Sequence, residues 1–136
     1  MDENQVIWRE LRTKQNQLDL LDERNRSIRQ QREKQFDDLQ QKRDQLLHMM
    51  ESKYQMMQHT LGQVDADTTE ERARLNRIAS HFSQSVSMGF TRNQRALEQR
   101  IENEEIEYRR ERRKLEEDID TLHRLKTTLE QEKRKG

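Results

Sequence analysis

The sequence predicts an all-α protein, a long antiparallel two-helix hairpin, and three observations predict it. First, among 136 residues there is no proline and there are only three glycines, so almost nothing forces a helix to break. Second, the strong break cluster, Leu61-Gly62-Gln63-Val64-Asp65-Ala66-Asp67-Thr68-Thr69, falls near the middle. Third, 40% of residues are charged and 29% hydrophobic, the balance of coiled coils and long helices rather than of a thick-cored domain. Intrinsic disorder competes on composition, but the apolar residues are periodic and favour ordered helix. One helical-hairpin domain over 1–136 is expected, with helix from about 4 to 61, a turn at 62–68, and helix from about 69 to 133.

In the first arm Ile7, Leu11, Leu18, Leu21, Ile28, Leu39, Leu46 and Met49 share one heptad frame. Lys14, Asn25, Arg32, Gln35 and Lys42 interrupt it. Near Phe36 a neighbouring frame competes, and from Leu47 it runs through Met50, Tyr54, Met57, Leu61 and Val64. A drifting seam suits a short bundle better than one sustained left-handed supercoil. At the turn, Gly62 is expected to adopt the left-handed conformation that ends a helix. Thr68 and Glu71 have the spacing of a capping box, with Glu70 and Glu71 near the positive end of the second helix. At ~1.5 Å per residue the two arms have similar lengths, roughly 85–95 Å, which supports a chain folded back on itself.

The second arm changes character along its length. Leu75, Ile78, Phe82, Val86 and Phe90 recur at helical spacing among serines, whereas beyond Arg92 the arm is highly charged. Ile101, Tyr108, Leu115, Leu122 and Leu129 repeat every seven residues. Their companions are expected at Glu104, Glu111 and Asp118, so the seam reads as half apolar. It asks for opposite charge opposite it, such as Arg24, Arg29, Arg32 and Lys42. Gly89, inside this arm, is expected to mark a kink, a close approach, or a second turn.

Charge and composition exclude several function classes. The chain carries 27 basic and 27 acidic residues, and both halves are neutral, so no basic stripe for nucleic acid is expected. The run Arg109-Arg110-Glu111-Arg112-Arg113-Lys114 is flanked by acids and reads as a solvated, ion-paired face. Cysteine is absent, which removes disulfides and thiolate metal ligands. His48, His59, His81 and His123 have no shared ligand spacing, so no metal or other cofactor is expected. No pocket that would shift a carboxylate pKa is foreseen and no phosphate-binding glycine loop occurs, so an enzyme is not expected. The start of the chain lacks signal-peptide character and no apolar run reaches membrane-spanning length. A cytoplasmic protein is expected, or one exported without a cleavable signal.

Interaction surfaces remain. Met49, Met50, Met56 and Met57 gather flexible apolar side chains near the tip. They are candidates either for packing across the turn on Leu75, Ile78 and Phe82 or for a partner. Trp8, beside Ile7 and Leu11, is a second anchor at the open end. Two adjacent frames in one arm exceed what a single partner helix covers. Assembly is therefore expected, as two hairpins in a four-helix bundle or as one hairpin on another protein's helices.

The opening Ile7-Trp8-Arg9-Glu10-Leu11, the Gln/Arg-rich arm with Phe36-Asp37-Asp38-Leu39, the Leu/Met-rich tip, Phe82 and the Glu/Arg/Leu-rich closing arm resemble a known family. It comprises the small helical accessory proteins encoded beside LXG toxins in type VIIb secretion systems of Gram-positive bacteria. The resemblance implies a WXG-like hairpin that acts as an adaptor, chaperone or targeting factor for a toxin's helical LXG domain, with a second small accessory protein as a further partner. No W-x-G turn is present, because Arg9-Glu10 follow Trp8. Tyr108, Phe82 and Phe90 also lack an acidic residue four positions on, so another factor is expected to supply the export signal. The residues expected to bind the toxin are Ile7, Trp8, Leu11 and Leu18 at the open end and Met50, Met57, Phe82 and Phe90 nearer the tip. The alternative is a homodimeric coiled-coil spacer without a client.

Overall fold

A computed structural model describes residues 2–135. Two α-helices account for nearly all of them: α1, Glu3–Gly62, and α2, Thr69–Lys135. They pack against each other as an antiparallel hairpin. Their limits lie within two residues of those expected from the break cluster.

The ends of the helices obey different chemistry from the one expected. No glycine has a positive φ, so Gly62 is not a left-handed cap but the last helical residue. The helix closes instead through tightened bonds, with Gln63 N–H donating to the Thr60 carbonyl at 3.2 Å and Val64 N–H to the Leu61 carbonyl at 3.3 Å. At the start of α2, the Thr68 carbonyl accepts from Arg72 N–H at 2.9 Å, which opens the helical ladder. The capping carboxylate is not Glu71. Asp67 Oδ1 accepts from the Thr69 backbone N–H at 3.1 Å and from the Thr69 hydroxyl at 2.6 Å. Those two bonds, the hydroxyl's first, hold the Asp67 carboxyl below the usual carboxylate range.

Helix α2 runs through Gly89 without interruption, which removes the second turn. A Cβ placed there meets nothing within 4 Å, which removes the close approach. With helical backbone and open space, Gly89→Ala is expected to raise stability by about 0.5–1 kcal/mol through lost unfolded-state freedom. For a chain of this size that is a rise of roughly 2–4 °C in melting temperature.

By internal packing the chain divides into two compact units, the described residues of Met1–Gln31 with Arg100–Gly136, and Arg32–Gln99. In the first unit the interior of α1 follows a strict heptad: Asn4, Ile7, Leu11, Lys14, Leu18, Leu21, Asn25 and Ile28 are buried or half-buried. Facing it, α2 turns inward Ile101, Tyr108, Leu115, Leu122 and Leu129, as expected. Their inward companions include Glu105, Arg112, Ile119 and Lys126, four positions on. Glu111, expected in the seam, is exposed. Opposite charges do meet across the arms. Arg29, one of the expected cations, reaches Glu105 rather than Glu104, Glu111 or Asp118, at 3.6 Å. Lys14 meets Asp118 at 3.3 Å and Lys133 meets Asp2 at 3.5 Å.

The second unit is held differently. Its α1 seam passes from Arg32 to Phe36, Leu39, Arg43, Leu46, Met50 and Tyr54, a four-residue step that shifts the frame as the sequence indicates. On α2 the half-buried positions include Leu75, Ala79, Phe82, Val86, Phe90 and Gln94, with Leu97 buried. Here the arms are joined by apolar contact, by the Arg43 guanidinium 4.4 Å above the Phe90 ring, and by the Tyr54 hydroxyl donating to Asn76 Oδ1. Gln58 Nε2 donates in turn to the Tyr54 oxygen at 2.7 Å.

Candidate interaction surfaces

The seam consumes little of the chain. Among the described residues the buried apolar side chains are Leu11, Leu18, Leu21, Leu97 and Leu122, each still 8–9% exposed, and none is fully buried. The accessible surface is 11278 Å², whereas a compact monomer of 16.7 kDa exposes about 7,600 Å². The excess, roughly 3,700 Å², is of the order buried in permanent complexes.

At the tip, the last turns of α1 and the first of α2 form a groove of about 570 Å³ lined by Met57, Thr60, Leu61, Glu71, Arg74, Leu75 and Ile78. Leu61 and Leu75 form its half-buried floor. Met57 is 57% exposed and Ile78 67%. Met56 and Val64 are exposed nearby. Packing across the turn is thus partial: Leu75 and Phe82 are half-buried, while Ile78 faces water. A second groove, about 230 Å³, lies between Leu39, Leu46, Val86 and Phe90, under Arg43.

At the open end Trp8 is 55% exposed, with the Lys126 ammonium 3.9 Å above its ring. That contact favours the ring's outward position. The expected binding residues therefore separate. Trp8 and Met57 are exposed; Ile7, Met50, Phe82 and Phe90 are half-buried; Leu11 and Leu18 are spent on the seam. Exposed apolar residues that the heptad reading did not single out include Val6, Leu20, Met88, Ile106 and Leu125. Their signal was present in the sequence, since Val6, Leu20, Met88 and Ile106 are apolar residues out of frame and Leu125 continues the row of Glu104, Glu111 and Asp118.

In the first unit a polar cluster bridging the arms is built by Asp22. Its Oδ1 accepts from the Tyr108 hydroxyl at 2.6 Å and from Arg112 Nε at 3.1 Å. Arg112 also donates to Glu116 on its own helix. The Tyr108 bond first, then Arg112, holds the Asp22 carboxyl below its ordinary range. The same carboxylate pushes the Tyr108 phenol up and secures the Arg112 charge. This cluster ties the two arms together at one register. Tyr108→Phe is expected to cost about 1 kcal/mol, one hydrogen bond to a charged acceptor in a partly wet site. Asp22 is more acidic folded than unfolded. Its stabilisation is therefore complete above the unfolded carboxylate value of about 3.9 and is lost as pH falls through the lower folded value. Thermal melts should show wild type losing more stability than Asp22→Asn on acidification below about pH 4.

Among the described residues no three His, Asp or Glu side chains are grouped to hold a metal ion, and no helix is long and apolar enough to cross a membrane. Comparison of the chain with protein-family models, with curated proteins and with solved structures finds no match.

Proposed function

We propose that this protein is a non-enzymatic adaptor or chaperone that binds helices of another protein and stabilises them. Its client is the helical N-terminal LXG domain of a toxin exported by type VIIb secretion. The observation that carries the reading is the tip groove, where Met57 and Ile78 stand exposed over a floor of Leu61 and Leu75. A groove between two helices is the usual seat for an amphipathic third helix, and methionine adapts to its shape. The large uncompensated surface supports the same conclusion. The toxin domain as client rests on the resemblance of the Ile7-Trp8-Arg9-Glu10-Leu11 opening and the Leu/Met-rich tip. In this reading a second small helical accessory protein completes the complex, and the hairpin acts in the cytoplasm or leaves with its client.

The competing outcome is a homodimeric spacer. The frame step at Arg32–Phe36 and the polar seam positions Lys14, Asn25 and Arg32 count against a continuous two-stranded coil. Sedimentation of the purified chain separates the two. The adaptor is monomeric alone and forms a heteromeric complex when mixed with the LXG domain encoded beside it. A stable dimer indifferent to that domain establishes the spacer.

A further inference from the structure

Within the first unit, the two flanks of the seam differ in charge and in how that charge is used. On one flank three acids are engaged by the hairpin itself, Asp22 by Tyr108 and Arg112, Glu105 by Arg29 and Arg109, and Glu116 by Arg112, while Glu102 and Glu130, among the described residues, are not. The opposite flank carries a groove of about 450 Å³ with Val6, Ile7, Leu125 and Leu129 in its lining and Glu3 and Glu132 at its rim. Further along the unit a second groove, about 260 Å³, is lined by Leu21, Ile28 and Tyr108 with Glu104, Glu107 and Glu111. Arg24 is the cation in that lining.

The heptad places both grooves on one line. Glu3 and Glu10 occupy the row that also holds Arg24, and Val6 and Leu20 occupy the adjacent row, two heptads apart. On α2, Glu132, Leu125, Asp118 and Glu111 form the facing row. Val6, Leu20 and Leu125 are all exposed. Glu3, Glu10, Glu107, Glu111 and Glu132 make no ion pair with another described residue. Lys14 is engaged by Asp118, and Lys114 joins Arg24 as a basic residue on this flank. An apolar line bordered by Glu3, Glu10, Glu107, Glu111 and Glu132 thus runs along a molecule whose formal net charge is zero.

We infer that this flank is the seat of a partner helix whose apolar stripe is bordered on both sides by lysine or arginine. Such a helix lays its stripe over Val6, Leu125 and Leu20 and sets its cations against the carboxylates, which both strengthens the encounter and fixes register. A second copy of this chain laid on the flank by a two-fold axis brings acid against acid. Anionic lipid and nucleic acid are repelled for the same reason. The inference rests on the adaptor reading and adds to it a second surface, with the charge its partner must carry.

The test uses the full chain and two labelled synthetic peptides, each about four turns of helix long. They share one leucine stripe; one has lysine flanks and the other glutamate flanks. Fluorescence anisotropy should show the lysine-flanked peptide binding and the glutamate-flanked one not. Combined Glu3→Gln, Glu107→Gln, Glu111→Gln and Glu132→Gln should weaken binding about tenfold, since rim charges contribute a few tenths of a kcal/mol each. Val6→Gln with Leu125→Gln should weaken it further, which separates helix seating from simple charge attraction. Glu102→Gln with Glu130→Gln, on the other flank, should change little. Equal binding of both peptides, or equal loss from the two sets of Glu→Gln changes, overturns the inference. The adaptor reading is tested separately with the LXG domain. If the four-carboxylate variant captures that domain as well as wild type while a tip variant does not, only the flank assignment falls. If wild type captures no such domain, the client reading falls, and the peptide result alone decides the flank.

Discussion

Leu18→Ala is expected to destabilise the isolated protein by about 2–3 kcal/mol, and Leu20→Ala, two residues away, by less than about 0.5 kcal/mol. The two leucines are close in sequence and opposite in environment. Leu18 is 8% exposed and lies in the α1 heptad with Leu11 and Leu21; Leu20 is 59% exposed. The larger value is set at the lower end of the usual range for leucine truncation, because the seam is one side chain thick and water can enter the space left. It is still a large fraction of what a small core provides. Denaturant melts of both variants measure the difference directly. Equal costs at the two positions would mean that the arms do not pack through Leu18.

The second large effect is on binding and leaves the fold in place. Met57→Asp combined with Ile78→Asp changes two side chains that contribute little to the hairpin, since both are more than half exposed. Stability should therefore move by no more than about 0.5 kcal/mol per site. Capture of the LXG domain should fall by at least about a hundredfold. Each substitution removes an apolar contact of about 1–1.5 kcal/mol and also leaves a carboxylate to be desolvated in the interface. Calorimetric titration of the domain with wild type and the double variant tests this. Unchanged affinity would move the binding surface away from the tip.

Much of this architecture was legible in the sequence, for reasons that can be located. Without proline, and with polar turn residues confined to 62–68, two helices were the consistent solution, and the heptad from Ile7 to Ile28 marked the buried stripe. The frame change near Phe36 was also visible, because hydrophobic period alone reports it. The details that escaped depend on geometry that a linear pattern does not encode. Gly62 has the propensity for a left-handed cap, yet the chain beyond it forms bonds that keep the helix going to that residue. Asp67, rather than Glu71, restrains the start of α2, since an Asp can reach the N–H two residues on without a capping box.

The candidate surface was less legible than the fold. Periodicity shows which residues can be buried, but not which are left over once two helices have met. Leu11 and Leu18 carried the strongest signal and went into the seam, whereas Ile78 and Leu20 looked equally apolar and remain exposed. Glu104 and Asp118 are half-buried as expected, whereas Glu111 is exposed and Glu105, Arg112 and Ile119 share the inward face. That difference turns on the relative rotation of the arms. So does the Asp22–Tyr108–Arg112 cluster, whose members lie 86 and 90 residues apart. No single-helix pattern joins them.

The central claim is that the hairpin is incomplete alone and is finished by the helices of a different protein. Its most direct test is the thermal melt of the purified chain with and without an excess of the proposed client, an LXG domain. The account predicts a modest melting temperature for the monomer and a clear rise in the mixture, as linkage requires of a partner that binds only the folded state. A highly stable monomer whose melting temperature the domain leaves unchanged would contradict it.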